Sequence, residues 1–482
     1  MGGELRHAEI SRGPHPHPAL RAHRPRQGGG EDWVGLVSDA ASNPRLRFAP
    51  SPTGRLHVGN AYIALANWLY ARRHCGGFLL RLDDTDRERS TEAFAAGIEA
   101  DLLWLGLVWN EKVSQSGRLP RYDLAVMRLK ADGLLYPCYE TPEELALKRK
   151  LQLQRGEPPI YDRAALAMTE PERLKFVAEG RRPHWRFRLS RGVSRWDDLV
   201  RGPQQIDEAS QSDPVLVRAD GTYLYSLTSV VDDVEFGITH VVRGADHVTN
   251  TGAQIELFRG LGAAPPAFGH LPLLTDASGA GLSKRIGSLS LADLREQGIE
   301  PLALASYLSR LGAGAMEPRA SLDAIAADFD LASFHGGAPR FDPAELASLN
   351  ARLLHQLPYA AVAKRLPADA NEPLWLVLRG NIRRLADVEG WMVICRGRIS
   401  PRIEDPALTT QATDLLPQEP WDTSTWGEWT SAVKQASGKT GRALFHPLRL
   451  ALTGREDGPE MKHLLPLIGR GRALARLKGE TA

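Results

Sequence analysis

Cysteine is scarce in this chain, and its scarcity excludes several classes of protein. The 482 residues contain only three cysteines, Cys75, Cys138 and Cys395, which cannot form the disulfide framework of a small secreted domain. No apolar run reaches the length of about 18 residues that a membrane-spanning helix needs. The sequence therefore predicts a globular protein of the cytoplasm that has no contact with a membrane.

An excess of charge of either sign is also missing. The formal net charge is +2, whereas domains dedicated to nucleic acids are often strongly basic. Any contact with RNA or DNA must then come from a local patch, and the C-terminal segment contains one. Its basic residues are Arg442, Arg449, Arg455, Lys462, Arg470, Arg472, Arg476 and Lys478. Charge alone favours a solvated surface over a nucleic-acid site for such a patch.

The length and composition indicate several domains. A chain of 482 residues has room for about three domains of ordinary size, and 43% hydrophobic residues are typical of packed cores. Residues 1–44 differ, because they are rich in glycine, proline, histidine and arginine, and we predict a disordered extension. They lack the apolar stretch of a secretory signal and include acidic residues that transit peptides avoid. Three histidines, His15, His17 and His23, leave a metal-binding tail as the alternative.

Strands and helices alternate after this extension. Residues 46–49 and 78–82 are short apolar runs typical of buried strands, and apolar residues recur at helical spacing over 60–73. The order strand, helix, strand predicts a βαβ unit and an α/β fold with a parallel sheet. Ligands bind such sheets at the carboxyl ends of the strands, where residues 49–59 and 83–86 lie.

The alternation is interrupted and then resumes. Residues 123–224 have helical stretches and a proline-containing turn instead, which indicates an inserted domain. Residues 225–279 continue the pattern with apolar segments at 240–243 and 271–274, so the sheet is predicted to be split in the sequence. Amphipathic helices dominate the rest of the chain. The tryptophans expected in the packing of its C-terminal third are Trp391, Trp421, Trp426 and Trp429.

A run typical of nucleotide binding joins the first strand to the first helix. Prolines and a glycine at 50–54 restrict the turn, and Gly59 leaves space for an adenine or ribose to approach the backbone. The helix N-terminus at Asn60 directs backbone N–H groups towards a phosphate. His57 alone is a weak indication, because a histidine two residues before a glycine is common by chance, but the complete run favours a nucleotide site.

The residues from Arg47 to Asn60, RFAPSPTGRLHVGN, resemble the first signature of class I aminoacyl-tRNA synthetases of the glutamyl type. The sequence GLSKR at 281–285 resembles their second, mobile signature. Similar matches cover 45–312 and return at 447–454. The resemblance implies a Rossmann-like catalytic domain with a split parallel sheet and an inserted acceptor-binding domain. All-helical stem-contact and anticodon-binding domains are expected to follow.

The resemblance also implies the domain limits and the activity. The limits are 1–44 for the extension, 45–122 and 225–279 for the two catalytic halves, 123–224 for the acceptor-binding domain, 280–344 for the stem-contact domain and 345–482 for the anticodon-binding domain. The implied activity is ligation of L-glutamate to the 3′ end of tRNA-Glu through a glutamyl-adenylate, by a monomer that uses ATP with Mg²⁺ as substrate. Since some relatives also charge tRNA-Gln, that tRNA is an alternative.

Individual residues receive roles from the same resemblance. Those expected to hold ATP are His57, Gly59, Asn60, Ser283, Lys284 and Arg285, with His57 and Lys284 also acting in catalysis. Those expected to hold glutamate are Arg47, Ser51, Asp83, Tyr225 and Arg243. Arginine suits the side-chain carboxylate because its planar guanidinium binds both oxygens. The expected partners of the α-amino group are Ser51 and Asp83.

Three positions depart from the family pattern. Gly281 replaces a lysine of the second signature, Asp83 is one methylene shorter than the usual glutamate, and Ala245 replaces a common glutamate. These departures raise the alternative of a tRNA-binding relative with weakened catalysis. Some relatives hold zinc through a Cys-x-Cys pair and a further cysteine, whereas no cysteine lies between Cys138 and Cys395. We therefore predict no zinc, and we expect Cys138 to be a small buried residue.

Overall fold

The structure is a computed structural model that describes residues 43–276, 278–279, 290–312, 314–334 and 336–482. Residues 1–42 of the predicted extension and the second signature at 281–285 lie outside the described residues. Across the described ranges, no helix is both long enough and apolar enough to cross a membrane.

A parallel sheet of three strands begins the fold, as the alternating pattern predicts. Its elements in chain order are β1 (Arg45–Phe48), α1 (Val58–Arg73), β2 (Gly77–Leu82), α2 (Glu92–Trp104) and β3 (Glu111–Ser114). The strand order is β1-β2-β3, with Leu46 opposite Phe78. Helix α1 begins at Val58, earlier than the predicted Asn60, because His57 caps its N-terminus.

The strands of the segment after this sheet pair in antiparallel fashion. It comprises α3 (Leu119–Ala131), β4 (Leu135–Cys138), α4 (Pro142–Gln154), α5 (Glu170–Ala178), β5 (His184–Phe187), β6 (Val193–Asp198), β7 (Gly202–Asp207) and β8 (Val215–Val217). Strands β4, β5 and β8 form one sheet, and β6 and β7 form a hairpin in which Val193 lies opposite Asp207. The turn of this hairpin contacts a strand that comes later in the chain, Ala267–Leu271. The Leu199 N–H donates to the Phe268 carbonyl of that strand at 2.8 Å.

The parallel pattern then resumes. Its elements are α6 (Tyr225–Glu235), β9 (His240–Gly244), α7 (Val248–Gly260) and β10 (Ala267–Leu271). Strands β9 and β10 pair in parallel, with Arg243 opposite His270. The Thr239 N–H donates to the Arg45 carbonyl at 3.0 Å, which brings β9 beside β1. The predicted apolar segment 271–274 is a loop after its first residue, because β10 ends there.

The remainder is helical, as the amphipathic pattern predicts. Its helices are α8 (Leu291–Glu296), α9 (Pro301–Leu308), α10 (Leu322–Ala327), α11 (Pro343–Gln356), α12 (Tyr359–Val362), α13 (Glu372–Leu378), α14 (Asp387–Arg396), α15 (Pro406–Asp414), α16 (Thr425–Ser437), α17 (Arg442–Thr453), α18 (Met461–Ile468) and α19 (Arg470–Leu477). The helices from α11 to α19 share a separate apolar core. The tryptophans that pack in it are Trp391, Trp421, Trp426 and Trp429.

One member of the predicted basic patch lies inside this helical core. Arg476 is fully buried, and its Nη1 donates to the carbonyl oxygens of Ile394 and Leu452, each at 2.8 Å. Carbonyl oxygens at the ends of helices have no partner within their own helix, so a guanidinium can satisfy them. Arg476 therefore joins helices and is not part of a solvated surface.

Candidate active site

A cavity of about 570 Å³ lies where the parallel strands end. The carboxyl end of β1 contributes 47–51, the residue after β2 contributes Asp83, and β9 and the loop after β10 contribute 242–244 and 272–274. Every predicted site residue within the described ranges lies on its wall. These residues are Arg47, Ser51, His57, Gly59, Asn60, Asp83, Tyr225 and Arg243. The other three, Ser283, Lys284 and Arg285, lie outside the described residues.

His57 forms the N-terminal cap of α1 through both its backbone and its ring. Its Nδ1 accepts the Gly59 N–H at 3.0 Å, and its own N–H donates to the Asn60 Oδ1 at 3.1 Å. Because Nδ1 accepts, the neutral ring has its proton on Nε2. Burial lowers the pKa of His57, which keeps the ring neutral near pH 7. His57 is therefore a neutral N–H donor at the cavity.

Gly59 is required by the same cap. A Cβ at this position would lie 2.8 Å from His57 Cε1 and 2.9 Å from His57 Nδ1. From the sequence alone, this glycine is predicted to let an adenine or ribose approach the backbone. The structure gives a nearer reason, because the capping ring itself fills the space that a side chain would need.

Arg243 is a buried cation whose hydrogen-bond partners are all neutral. The residue is 5% exposed. Its Nε donates to His270 Nε2 at 3.1 Å, and its Nη2 donates to Thr251 Oγ1 at 2.8 Å. Longer contacts of 3.4 Å join Nη1 to Tyr225 Oη and Nη2 to the His247 carbonyl. No carboxylate among the described residues pairs with it, so its charge is available to an anion in the cavity.

Asp83 and Arg47 are connected through two buried residues behind the wall. Arg81 donates from Nε and Nη2 to the two carboxylate oxygens of Asp83, at 2.7 and 3.2 Å. Asp233 Oδ1 accepts from Arg81 Nη1 at 2.8 Å and from Arg47 Nε at 3.2 Å. Burial raises the pKa of Asp83 to about 6, against the opposing effect of Arg81. Two acids, Asp83 and Asp233, and two cations, Arg47 and Arg81, thus form one connected cluster, of which Arg47 and Asp83 line the cavity.

Sequence reasoning missed the residues that hold this cluster in place. Arg81 and Asp233 lie within runs that supported the family resemblance, and His270 was assigned no role. One signal was present, because Arg81 interrupts the otherwise apolar run GFLLRL of β2. A charged residue in a buried strand is rare unless it is paired. Asp246 and His247 also line the cavity without having been predicted.

Two of the three departures from the family pattern can be located. Asp83 lies on the cavity wall at 7% exposure, held by Arg81. Ala245 lies in the turn after β9, and its neighbours Gly244 and Asp246 line the cavity while Ala245 does not. Gly281 lies outside the described residues.

Cys138 is buried, and two potential metal ligands lie near it. The ligand atoms of Cys138, Glu140 and His184 lie within 4.8 Å of one another. Burial raises the pKa of the Cys138 thiol to about 11, and the Tyr161 hydroxyl donates to Glu140 Oε1 at 2.8 Å. Glu140 Oε2 and His184 Nε2 have no hydrogen-bond partner among the residues described. A structural zinc takes four ligands, mostly sulfur and nitrogen, and this set does not fit it. The absence of zinc stays a prediction.

A second pocket, of about 350 Å³, lies among the C-terminal helices. It is lined by Trp426, Phe445, Arg449, Glu460, Met461 and Lys462. The ring centroids of Trp426 and Phe445 are 6.2 Å apart, and Phe445 is 44% exposed. Arg449 Nη2 donates to the Pro459 carbonyl at 2.9 Å, whereas its buried Nη1 has no partner in the described part of the chain. The exposed Phe445 ring lies beside the half-buried Trp426 ring and an unsatisfied guanidinium, a combination that suits a nucleic-acid base.

Comparison with protein families identifies two matching regions. Residues 44–329 match the family described as tRNA synthetases class I (E and Q), catalytic domain. Residues 402–480 match the family described as anticodon binding domain. The first match includes all the cavity residues, and the second includes the aromatic pocket.

Similar proteins of known name cover nearly the whole chain. Glutamate–tRNA ligase 2 of Methylorubrum populi is 57% identical over 92% of this chain and 100% of its own length. Glutamate–tRNA ligase of Azospirillum brasilense is 54% identical over 90% of this chain and 99% of its own. A crystal structure of a glutamate tRNA ligase from Elizabethkingia meningosepticum, in complex with its amino acid, superposes with a TM-score of 0.79 at 25% identity. It covers 91% of this chain and 99% of that one.

Proposed function

The chain belongs to the class I tRNA synthetases of the glutamate and glutamine type, and from this membership we propose that it joins glutamate to tRNA at the cavity between its parallel strands. Relatives that are 54 to 58% identical are named glutamate–tRNA ligases. The reaction is an ATP-dependent ligation. The tRNA-binding relative with weakened catalysis, which the departures had suggested, is not favoured by these comparisons.

Arg243 is the observation that supports glutamate as the substrate. A buried guanidinium without an acidic partner is costly to the fold, and an incoming carboxylate removes that cost. We assign the glutamate side-chain carboxylate to Arg243, with Arg47 and Tyr225 beside it on the same wall. An uncharged amide in place of the carboxylate would leave the cation unpaired, so the site selects against glutamine.

The α-amino group of glutamate is assigned to Asp83 and Ser51, which lie on the same wall. An ammonium ion pairs with the Asp83 carboxylate and favours its ionised form. Arg81 holds both oxygens of this carboxylate, so the shorter side chain is fixed in place. The departure from glutamate to aspartate therefore retains a usable acid at the cavity.

ATP is assigned to the start of α1. The N-terminus of a helix has a partial positive charge that favours phosphate, and at α1 the Gly59 N–H already donates to the His57 ring. His57 adds the Nε2–H donor that its capping geometry leaves free. ATP enters as its Mg²⁺ complex, and by the family resemblance Ser283, Lys284 and Arg285 close on the phosphates.

These assignments define two chemical steps. An α-carboxylate oxygen of glutamate attacks the α-phosphorus of ATP, and pyrophosphate leaves to give glutamyl-adenylate. A hydroxyl at the 3′ end of tRNA then attacks the glutamyl carbonyl carbon. AMP leaves with the bonding electrons, and the hydroxyl proton passes to the AMP phosphate or to water. Charge accumulates on the α-phosphoryl oxygens during the first step, and fixed donors such as His57 stabilise it.

The tRNA is assigned to the parts of the chain outside the cavity. We propose that 123–224 binds the acceptor arm, 280–344 contacts the stem and 345–482 binds the anticodon. The match of 402–480 to an anticodon-binding family supports the last of these. The pocket formed by Trp426, Phe445 and Arg449 is a candidate site for one anticodon base.

The function is tested by charging purified tRNA-Glu and tRNA-Gln with labelled glutamate in parallel. We expect charging of tRNA-Glu that requires ATP. Arg243→Gln should raise the KM for glutamate at least about 100-fold while the KM for ATP stays unchanged, because it removes a charge-assisted contact. Arg72→Gln, at an exposed arginine of α1 paired with Asp323, is the matched control. Absence of glutamate-dependent charging of either tRNA by the unmodified protein would refute the proposal.

The role of the second signature is tested separately with Lys284→Ala. A cation on the transferring phosphate typically contributes about 10²- to 10³-fold in rate, so we expect a loss of that size. Lys112→Ala, at an exposed lysine of β3 that pairs with Glu99 and does not line the cavity, serves as the control. A Lys284→Ala protein that charged tRNA at the parent rate would remove Lys284 from the catalytic site.

A further inference from the structure

Arg243 is connected, behind the cavity wall, to a buried histidine and a buried aspartate. Its Nε donates to His270 Nε2 at 3.1 Å, and His270 Nδ1 lies 2.5 Å from Asp198 Oδ2. The side chains of His270 and Asp198 are both completely buried. None of the residue roles assigned above includes Asp198 or His270, which lie as a second layer behind the site.

Arg243, His270 and Asp198 form a row, and its hydrogen bonds determine where the protons lie. Arg243 Nε always bears a hydrogen, so His270 Nε2 must accept and the ring proton must be on Nδ1, facing Asp198. Asp198 receives donors only: Oδ1 accepts the N–H groups of His270, Val200 and Arg201, and Oδ2 accepts Trp196 Nε1. Although burial opposes ionisation, the hydrogen bonds from His270 hold the pKa of Asp198 at about 2. Burial lowers the pKa of His270, so the ring stays neutral.

This row orients the guanidinium without neutralising it. A carboxylate in direct contact with Arg243 would compete with the carboxylate of the substrate, as Asp233 does in part at Arg47. An imidazole between the acid and Arg243 provides a fixed acceptor and keeps the negative charge one ring away. Thr251 Oγ1 holds Nη2 at 2.8 Å and completes the fixation of the guanidinium plane.

We propose that Asp198 and His270 are positioning residues for glutamate recognition: Asp198 selects the tautomer of His270, and His270 orients Arg243 towards the substrate carboxylate. This inference rests on the proposed function, since it assumes that Arg243 binds glutamate. Asp198 belongs to the β6–β7 hairpin, so the inserted segment contributes a residue to the amino-acid site.

Asp198→Asn is the first test, because it changes charge and donor pattern at nearly constant shape. The Asn oxygen can still accept the backbone N–H groups, but its amide then donates to His270 Nδ1. The ring proton must move to Nε2, where it faces the Arg243 Nε–H and breaks that hydrogen bond. We expect the KM for glutamate to rise about 10- to 100-fold while the KM for ATP stays close to that of the parent. The melting temperature should fall, because the amide also faces the Trp196 Nε1–H.

His270→Gln and His270→Asn form the second, paired test. The longer Gln can place an acceptor oxygen where Nε2 lies, whereas Asn can only replace the Nδ1–H. We expect His270→Gln to keep the affinity for glutamate and His270→Asn to lose it. Their KM values for glutamate should differ by about tenfold or more. If His270 were only structural, the KM for glutamate would not be lower in His270→Gln than in His270→Asn. His240→Gln, on the same strand as Arg243 but outside the cavity, is the control.

The possible results separate this inference from the proposed function. If Arg243→Gln loses glutamate affinity while Asp198→Asn and His270→Asn retain it, the positioning role is wrong and the function stands. If the unmodified protein charges no tRNA with glutamate, both fail. Should Asp198→Asn not fold, the order of the two His270 variants decides the question alone.

Discussion

Arg47 and Asp233 form a buried ion pair, with Arg47 Nε 3.2 Å from Asp233 Oδ1, although 186 residues separate them in the sequence. The same oxygen accepts from Arg81 Nη1 at 2.8 Å, and Arg81 holds Asp83. One carboxylate therefore supports two arginines of the active-site cluster. The first half of the parallel fold supplies the arginines, and the second half supplies the acid.

Asp233→Asn should destabilise the whole protein. It leaves two buried guanidinium groups without their shared counter-charge, and breaking a buried pair typically costs about 3 to 5 kcal/mol. Urea unfolding measures the change in the free energy of unfolding. The control is Asp323→Asn, which breaks an exposed pair with Arg72 and should cost less than about 1 kcal/mol. Equal losses for the two variants would show that the buried cluster does not stabilise the fold.

His57→Asn and His57→Ala should separate capping from catalysis. Asparagine is a favoured N-cap residue, so His57→Asn should keep the stability of α1, whereas His57→Ala should lose about 1 kcal/mol. Both remove the Nε2–H donor and should lower kcat/KM for ATP by about 10²- to 10³-fold. Thermal unfolding and tRNA charging are measured on the same preparations. Parent-like charging by His57→Asn would exclude His57 as a phosphate donor.

The KM for glutamate should rise as the pH falls through about 6. Burial raises the pKa of Asp83 to about 6, so the carboxylate is ionised above that pH and becomes protonated below it. A protonated Asp83 cannot pair with the ammonium group of glutamate. Charging rates are measured from pH 5 to 8 for the parent and for Asp83→Asn, which should bind weakly at every pH.

The histidines at this wall are His57 and His247, and burial lowers the pKa of both. The Asn variant separates them from Asp83. If the loss of affinity on acidification persisted unchanged in Asp83→Asn, it would belong to one of these histidines.

Arg449→Gln and Phe445→Ala should weaken tRNA binding alone, because Phe445 is exposed whereas Trp426 packs in the helical core. Stacking of a base on an aromatic ring contributes about 1 to 3 kcal/mol, so we expect the KM for tRNA-Glu to rise about 10-fold or more. The KM values for ATP and glutamate should not change, because the pocket is separate from the cavity. Lys434→Gln, on the same helix as Trp426 but outside the pocket, is the control. A tRNA KM unaffected by both pocket variants would contradict base binding there.

Purified protein should contain much less than one equivalent of zinc. Within the described part of the chain, the potential ligands that come together here are Cys138, Glu140 and His184, three groups of which only one is a sulfur. Metal analysis after dialysis, with tRNA charging before and after chelation, measures this. One equivalent of retained zinc, lost in His184→Gln, would overturn the prediction.

Much of this site could be anticipated from the sequence because its elements are local. The helical spacing of apolar residues placed α1, and the proline-rich turn before it placed His57 close to where the structure has it. The residues after each strand were expected to meet, since parallel strands bring their carboxyl ends to one edge. Arg47, Asp83 and Arg243 do meet there.

The sequence by itself determined the order of strands and helices, the family, and the residues that face the cavity, because periodicity, turn chemistry and motifs depend on near neighbours. Only the tertiary structure decided which buried groups hold those residues. Asp198 and His270 are 72 residues apart, and no local pattern pairs them. Their pairing follows from the packing of the β6–β7 hairpin on β10, where a buried charge must find its hydrogen bonds.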